Sequence, residues 1–362
     1  MNTGGDPSAR RVLIYRLGSL GDTIVALPCF HAVRRQFPAA KITVLTNVPI
    51  AAKAAPIASI LEHTGLFDDV IEYPLQLREF SKINAMRKKI RAQRFDVVVD
   101  LAAARRFGSS LRDYVFFRAC GIKRIIGVPL RKTDLVLAET APGLFEAESI
   151  RLARRLSSIG KVDLSDERNW DLCLTDGEIR RASELIRDFD LSQPFLAIGM
   201  GTKVPAKDWG AANWERLLSQ VTKQFPSLAL VAVGSDDERS VVDKCASSWT
   251  APVANLCGRI SPRVSAAIMK RAALFIGNDS GPMHLAAAVG TPCVALFSAQ
   301  SPPGQWYPRG NENIVLLAKN RCESCVDPCK QINGKCILAI SAGSVFAAVR
   351  ERLAAHASSS GK

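Results

Sequence analysis

Two short segments combine glycine, a hydroxyl residue and aspartate just after an apolar run, and they lie far apart in the chain. The first is Gly18-Ser19-Leu20-Gly21-Asp22, behind the apolar run 12–15. The second is Asn278-Asp279-Ser280-Gly281-Pro282-Met283-His284, behind 272–276. In a parallel α/β sheet such strand-to-helix turns line the ligand crevice, and free N–H groups at the helix start attract anions. Gly18 and Gly21 let the backbone approach a ligand, although the G-x-x-G-D spacing is not the G-x-G-x-x-G dinucleotide fingerprint. Asp22 is either a helix cap or a general base. Asp279, Ser280, Gly281 and Pro282 read as a loop entering a helix, with proline suited to the first turn. His284, one of four histidines, is either a ligand contact or a satisfied core side chain.

A third loop, 199–210, is punctuated by Gly199, Gly201 and Gly210 and follows a strand. Lys207 offers a cation that can neutralise charge developing on a leaving group, and Thr202 and Lys203 add donors beside it. The plainer alternative for Lys207 is a solvated loop lysine. Asp236-Asp237-Glu238 follow Gly234 at another strand end, where an acid cluster also suits a helix N-terminus. Cys322, Cys325, Cys329 and Cys336 are spaced well enough for zinc or an iron–sulfur cluster but lack the paired C-x2-C geometry of a zinc ribbon. They are expected to form a structural element that binds zinc or stays reduced.

These residues need elements to hold them. Apolar runs predict strands at 12–15, 42–45, 70–73, 95–100 and 125–128, with helices at 23–37, 51–63, a basic stretch from 82, and 147–160. A second series has helices at 176–190, 213–225, 237–248, 262–271, 282–289 and 342–355, with strands at 195–198, 228–233, 273–276 and 293–297. Continuous Val/Ile/Leu runs alternating with helices imply parallel sheets covered on both faces. The polar stretch 174–177 separates the two series. The expected architecture is α/β: two Rossmann-like domains, 1–173 and 174–362, facing each other across a cleft, with a last helix able to pack back on the first.

At 362 residues, two domains are the better expectation than one core. No apolar run reaches the roughly 18 residues of a spanning helix, and the first ten residues hold no signal core, so the expected location is cytoplasmic. Six scattered cysteines (Cys29, Cys120, Cys173, Cys245, Cys257, Cys293) read as reduced packing residues. The net charge of +14 is concentrated: fourteen Lys/Arg stand against three acids between 81 and 132. That asymmetry implies an anionic partner (lipid phosphate, nucleic acid or a membrane surface) or a merely solvated face. The aromatic spacing of a nucleic-acid platform is missing, since Phe107, Tyr114, Phe116 and Phe117 fit a helix core, and no nucleic acid is expected.

Arg16-Leu17-Gly18-Ser19-Leu20-Gly21-Asp22-Thr23-Ile24-Val25-Ala26-Leu27-Pro28 resembles the opening of the bacterial ADP-heptose:lipopolysaccharide heptosyltransferases, glycosyltransferase family 9. Lys207-Asp208-Trp209 with Trp214 resembles that family's second-domain motif. The segment 277–284, followed by Gly290-Thr291-Pro292, resembles its nucleotide-sugar loop. The resemblance implies the GT-B fold and inverting, metal-independent transfer of heptose from ADP-heptose to the lipopolysaccharide inner core, the Kdo and heptose of the lipid A core. It implies Asp22 as general base and Lys207 as the cation opposing charge on departing ADP. It places Glu238 at the nucleoside and Ser280 and Gly281 at the diphosphate. Asp279 would meet the sugar hydroxyls, while Gly18, Gly21, Thr202, Lys203, Pro282 and His284 complete the donor set. No Asp-x-Asp pair occurs in either candidate loop, as fits a reaction with no cofactor, and the cysteine run has no catalytic role. The implied partners are the nucleotide-sugar, an anionic lipid A-core acceptor and the inner face of the inner membrane, held peripherally. A GT-B nucleotide-sugar 2-epimerase and a non-catalytic anion-binding protein are the alternatives.

Overall fold

Strands built from unbroken Val, Ile and Leu must be covered on both faces, and here parallel pairing with helical crossovers does that. The computed structural model describes residues 9–48, 55–74, 79–103, 106–190, 192–318 and 336–360. They fall in two compact units, Met1–Cys173 and Leu174–Lys362.

In the first unit, β1 (Arg11–Tyr15), α1 (Leu20–Val25) and α2 (Leu27–Gln36) lead to β2 (Lys41–Asn47), α3 (Ala58–Leu61) and β3 (Asp69–Tyr73). There follow α4 (Phe80–Ala92), β4 (Val97–Asp100), α5 (Phe107–Ala119), β5 (Arg124–Ile126) and α6 (Lys132–Leu135). A hairpin, β6 (Glu139–Ala141) with β7 (Leu144–Phe145), precedes α7 (Glu148–Arg155). The five-stranded sheet has the order β3-β2-β1-β4-β5 and is parallel throughout. Strand order reverses beside β1, so the crevice of a doubly wound sheet opens at the C-terminal ends of β1 and β4. Val12, Leu13 and Ile14 in β1 are fully buried.

The second unit runs α8 (Asp176–Leu185), β8 (Phe195–Gly199), α9 (Ala211–Gln224), β9 (Ala229–Ala232), α10 (Arg239–Cys245) and β10 (Val253–Asn255). It continues with α11 (Pro262–Met269), β11 (Leu274–Asn278), α12 (Gly281–Ala288), β12 (Cys293–Phe297), β13 (Ile314–Leu317) and α13 (Ala342–Ser360). Its six strands, again all parallel, are ordered β10-β9-β8-β11-β12-β13. Here the reversal lies beside β8, and the crevice opens at the ends of β8 and β11. Trp209 and Trp214 meet edge to face at 5.2 Å in the core. The Trp209 Nε1–H donates to the Ile340 carbonyl at 2.8 Å. The last helix, which the sequence reading let return to the first half, buries Val345, Ala348, Val349 and Leu353 in this same cluster.

Several expectations need correction. The helix expected at 23–37 is two, broken at Ala26, because Pro28 has no N–H for the Ile24 carbonyl. That at 147–160 ends at Arg155 and continues as a 3-10 turn, Ser157–Ile159. That at 176–190 stops at Leu185, and that at 237–248 opens with a 3-10 turn, Asp236–Glu238. The helix expected at 51–63 lies partly outside the described residues, which retain Ala58–Leu61. Phe107, read as a core residue, is 51% exposed, whereas Phe117 is buried. The edge strands β10 and β13 and the small hairpin had no expectation. Short half-exposed edges carry too little pattern to read.

Candidate active site

The turn after β1 is shaped around one carboxylate. Gly18 has φ of +123°, and a Cβ on it would lie 2.5 Å from the Asp22 carboxyl carbon, so only glycine fits without displacing that group. The Gly18 N–H donates to Asn47 Oδ1 at 3.0 Å, which ties the turn to the end of β2. Gly21 lies buried within α1. Asp22 stands at the third position of α1, where its Oδ2 accepts from the Ser19 N–H at 2.8 Å and from the Ser19 hydroxyl at 3.2 Å. Asp22 therefore does act as a cap. Its Oδ1 faces the Arg16 guanidinium, with Nη2 at 3.8 Å, and the side chain stays 27% exposed. The cap occupies one oxygen and leaves the other able to accept a proton.

Arg16 is a residue whose role was not read from the sequence. It is buried at 1% exposure and donates from Nη1 to the Leu101 carbonyl at 2.7 Å. Its Nε and Nη2 have no hydrogen-bond partner. Burial pulls its pKa down, and Asp22 is the strongest charge opposing that. Around it sits a set of buried ion pairs, also missed: Arg155 with Asp100 at 3.3 Å, and Arg151 with Glu148 at 2.5 Å. Arg155 also donates to the Gly127, Ala102 and Asp100 carbonyls, fixing the loops after β4 and β5. Charges this deep persist only when paired and hydrogen bonded. Their sequence signal was slight: Arg16 opens the glycine motif, and Asp100 ends an apolar strand.

In the second unit the loops after β8 and β11 are neighbours because those strands are. Lys207 closes a 3-10 turn, Pro205–Lys207, and its Nζ lies 2.6 Å from Asp279 Oδ2, with the two side chains 16% and 5% exposed. Asn278 straps the loops together by donating from Nδ2 to the Met200 carbonyl at 2.6 Å, and its buried Oδ1 has no partner. Ser280 is the extended N-cap of α12 and Pro282 occupies its first turn. The Ser280 hydroxyl is buried without a partner, and Gly281 is the first helical residue. His284 is buried, with its ring edge to face with Trp306 at 6.1 Å between centroids.

Glu238 follows β9, and its Oε1 accepts from the Ser235 hydroxyl at 2.6 Å. A Cβ on Gly201 or on Gly234 would overlap its carboxyl group, so those two glycines make the space it occupies. Thr202 Oγ1 accepts from the Val204 N–H at 3.2 Å, and Lys203 is exposed. The structure thus brings Lys207 to Asp279 and Glu238 to the Gly201 loop at one end of one sheet. Trp209 and Trp214 are core residues behind this loop. Of the cysteine run, Cys322, Cys325 and Cys329 lie outside the described residues. Cys336 is half-buried, and its Sγ accepts from the Ala299 N–H at 3.2 Å.

This end of the second sheet can bind an anion: it has a cation, the start of a helix and carboxylates for hydroxyl groups. The turn in the first unit can accept a proton. The sequence profile of glycosyltransferase family 9 (heptosyltransferase) matches residues 83–335. The chain is 29% identical over 164 residues to lipopolysaccharide heptosyltransferase 3 of Escherichia coli, a match spanning 45% of this chain and 48%, about half, of that relative. With lipopolysaccharide heptosyltransferase 3 of E. coli strain K12 it is 23% identical over 320 residues, 82% of this chain and 84% of the relative. The crystal structure of the glycosyl transferase family 9 protein from Veillonella parvula DSM 2008 superposes with a TM-score of 0.71 at 22% identity, covering 95% of this chain and 97% of that one. E. coli heptosyltransferase WaaC with ADP-2-deoxy-2-fluoro heptose superposes at 0.57 and 15% identity, covering 94% and 99%. Identities this low speak for the fold, which is GT-B. The profile spans most of the chain, and the protein belongs to glycosyltransferase family 9, the heptosyltransferases.

Proposed function

We propose that the protein transfers heptose from ADP-heptose to the inner core of lipopolysaccharide, with inversion at the anomeric carbon and without a metal. In this reading the first unit, 1–173, binds the acceptor and the second, 174–362, binds the nucleotide-sugar. Asp22 Oδ1 takes the proton of an acceptor hydroxyl on Kdo or heptose as that oxygen attacks C1 of the donor heptose. The bond from C1 to the diphosphate oxygen breaks, and ADP departs with the electron pair. Lys207 and the backbone N–H groups at the start of α12 offset the charge that builds on ADP. Asp279 and His284 accept from or donate to heptose hydroxyls, Glu238 meets the nucleoside, Ser280 and Gly281 offer backbone N–H groups to the diphosphate, Thr202 and Lys203 add donors beside Lys207, and Gly18, Gly21 and Pro282 complete the donor set.

One observation carries the reading: Lys207 Nζ sits on Asp279 Oδ2 at 2.6 Å beside the start of α12, where strand order reverses. A bound diphosphate would take over that cation. The solved relative with ADP-2-deoxy-2-fluoro heptose and the lipopolysaccharide heptosyltransferases among the relatives support the choice of donor and acceptor class. Among the described residues no helix is long and apolar enough to cross a membrane, and the proposed location is peripheral, at the inner face of the inner membrane.

The test incubates the protein with ADP-heptose and, in parallel, with heptose-free and with heptose-bearing Kdo–lipid A, and reads each acceptor by mass spectrometry. A heptose added to either with release of ADP is the expected result. Donor that is epimerised or left intact while neither acceptor gains a heptose sinks the assignment. A thermal-shift series of ADP- and UDP-sugars identifies the donor independently, since a ligand that binds the folded state raises its melting temperature.

A further inference from the structure

The helix α5 carries apolar residues on its outer side as well as its inner one. It turns Ser110 and Asp113 inward, both buried, together with Phe117. It exposes Phe107 at 51%, Leu111 at 43% and Val115 at 57%. These three are spaced by four residues and therefore form one stripe along the helix. An ordinary surface helix turns polar residues outward. The neighbouring α4 adds Phe80, 83% exposed at its first turn. The two helices lie side by side: Ile90 and Met86 of α4 pack in one cluster with Phe116 and Phe117 of α5, and Arg87 Nη1 donates to the Ala119 carbonyl at 3.5 Å. Both helices begin at the C-terminal edge of the sheet, the edge that carries the Asp22 turn.

Exposed basic side chains lie on the same two helices. Arg106, Arg112 and Arg118 on α5 and Lys88, Lys89 and Arg91 on α4 are all exposed. Among the described residues no acid pairs with Lys88, Lys89 or Arg91, whereas Arg112 engages Asp113 at 2.9 Å. A second copy of a chain with net charge +14 would bring like charge against like charge here, so the field favours an anionic occupant.

We infer that the outer face of α4 and α5 docks on an anionic lipid bilayer. Phe80, Phe107, Leu111 and Val115 enter the headgroup layer, and the six lysines and arginines on the same helices engage lipid phosphates. Apolar side chains in the interface and basic ones at its rim are the two signals that together hold a peripheral protein on a charged membrane. The inference deepens the proposed activity and rests on it for its purpose, since the acceptor is itself a lipid. Its binding test needs no turnover.

The experiment is flotation of the full-length protein with phosphatidylglycerol–phosphatidylcholine vesicles and with phosphatidylcholine vesicles alone. The wild type floats with the first, less so as salt rises, and not with the second. F107S/L111S/V115S loses about tenfold or more in partitioning. K88Q/K89Q/R91Q loses both binding and salt dependence. All six positions are exposed, and unchanged melting curves check that the variants fold. Wild type that ignores anionic vesicles, or a triple serine variant that binds as well as wild type, overturns the inference. So does a wild-type dimer that this variant turns into a monomer, because the stripe then covers a second copy. Turnover on a water-soluble core oligosaccharide is measured alongside. Retained turnover in F107S/L111S/V115S with lost flotation supports the docking face, and flotation with no turnover by wild type keeps the face while removing the proposed activity.

Discussion

The two sheets reverse strand order at the same place in their topology, beside β1 and beside β8, and each sets an ion pair at the reversal. The pairs run in opposite senses. In the first unit the buried member is the cation, Arg16 at 1%, and the accessible member is the carboxylate, Asp22 at 27%. In the second the carboxylate, Asp279 at 5%, is the more buried, and the cation, Lys207 at 16%, the more accessible. The member that reaches solvent is the one able to meet a ligand. One turn therefore exposes a carboxylate and the other a cation, which the proposed reading uses as proton acceptor and anion acceptor.

If that division of labour is right, the largest loss comes from the exposed carboxylate. Asp22→Asn keeps an acceptor for the Ser19 cap but removes the base. Transfer should fall about 10²–10⁴-fold while ADP-sugar binding by calorimetry stays within a factor of two or so of wild type. Retained turnover would break the comparison outright. Next is Lys207→Met, for which kcat should drop on the order of 10²-fold. The same change leaves Asp279 buried and unpaired, at a cost to folding of about 3–5 kcal/mol. The double variant K207M/D279N separates the two effects: the melting temperature should recover and the rate should not.

The difference between the two turns could be read from the sequence only in part. Asp22, Lys207 and Asp279 stood out because glycines and hydroxyl residues cluster around them at strand ends, and a strand end is visible as an apolar run stopping. The buried charges of the first unit were harder to find. Arg16 lies inside the glycine motif, yet nothing in one sequence says that an arginine after a strand turns inward. Asp100, Glu148, Arg151 and Arg155 are far apart in the chain and meet only through the fold. The parallel sheets followed from Val/Ile/Leu runs of four or more residues, and the missed strands were half-exposed edges such as Ile314–Leu317. Helix ends erred for local reasons, Pro28 being the clearest. α5 misled more deeply, because its aromatic residues suggested a core and the structure turns Phe107 outward.

The supporting residues should give smaller effects. Arg16→Met fills the same space without the guanidinium, so it removes both the hydrogen bond to the Leu101 carbonyl and the charge facing Asp22 Oδ1. Turnover should fall about tenfold, while stability falls by about 1–3 kcal/mol. Arg16→Lys should recover part of the rate. A loss of stability with an unchanged rate would reduce Arg16 to a scaffold residue and leave the first pair without a function. Gly201→Ala acts at the other sheet. The added methyl meets the Glu238 carboxyl and should raise the donor KM severalfold at nearly constant kcat, since it disturbs binding shared by ground and transition states.

Arg263 and Glu178 form another charge pair in the second unit, one that the proposed chemistry does not use. Arg263 grips Glu178 through Nε at 2.5 Å and Nη2 at 2.9 Å, joining the first turn of α11 to the first turn of α8. Desolvation pushes the Glu178 pKa upward, but hydrogen bonds from Arg263 and Thr175 outweigh it, and the net shift is below the ordinary carboxylate value of 4.5. A carboxylate held lower in the folded than in the unfolded state stabilises fully above that ordinary value. Its contribution is lost as pH falls through the folded pKa. Glu178→Gln should therefore lower the melting temperature at neutral pH, by the equivalent of about 1–3 kcal/mol for a weakened charged hydrogen bond. The gap from wild type should close as the pH falls below the ordinary carboxylate value of 4.5 and through the lowered folded one. Turnover at saturating donor should not change. A rate loss in this variant would show that charge pairs anywhere in the second unit affect chemistry, and the contrast between Lys207 and the scaffold would lose its meaning.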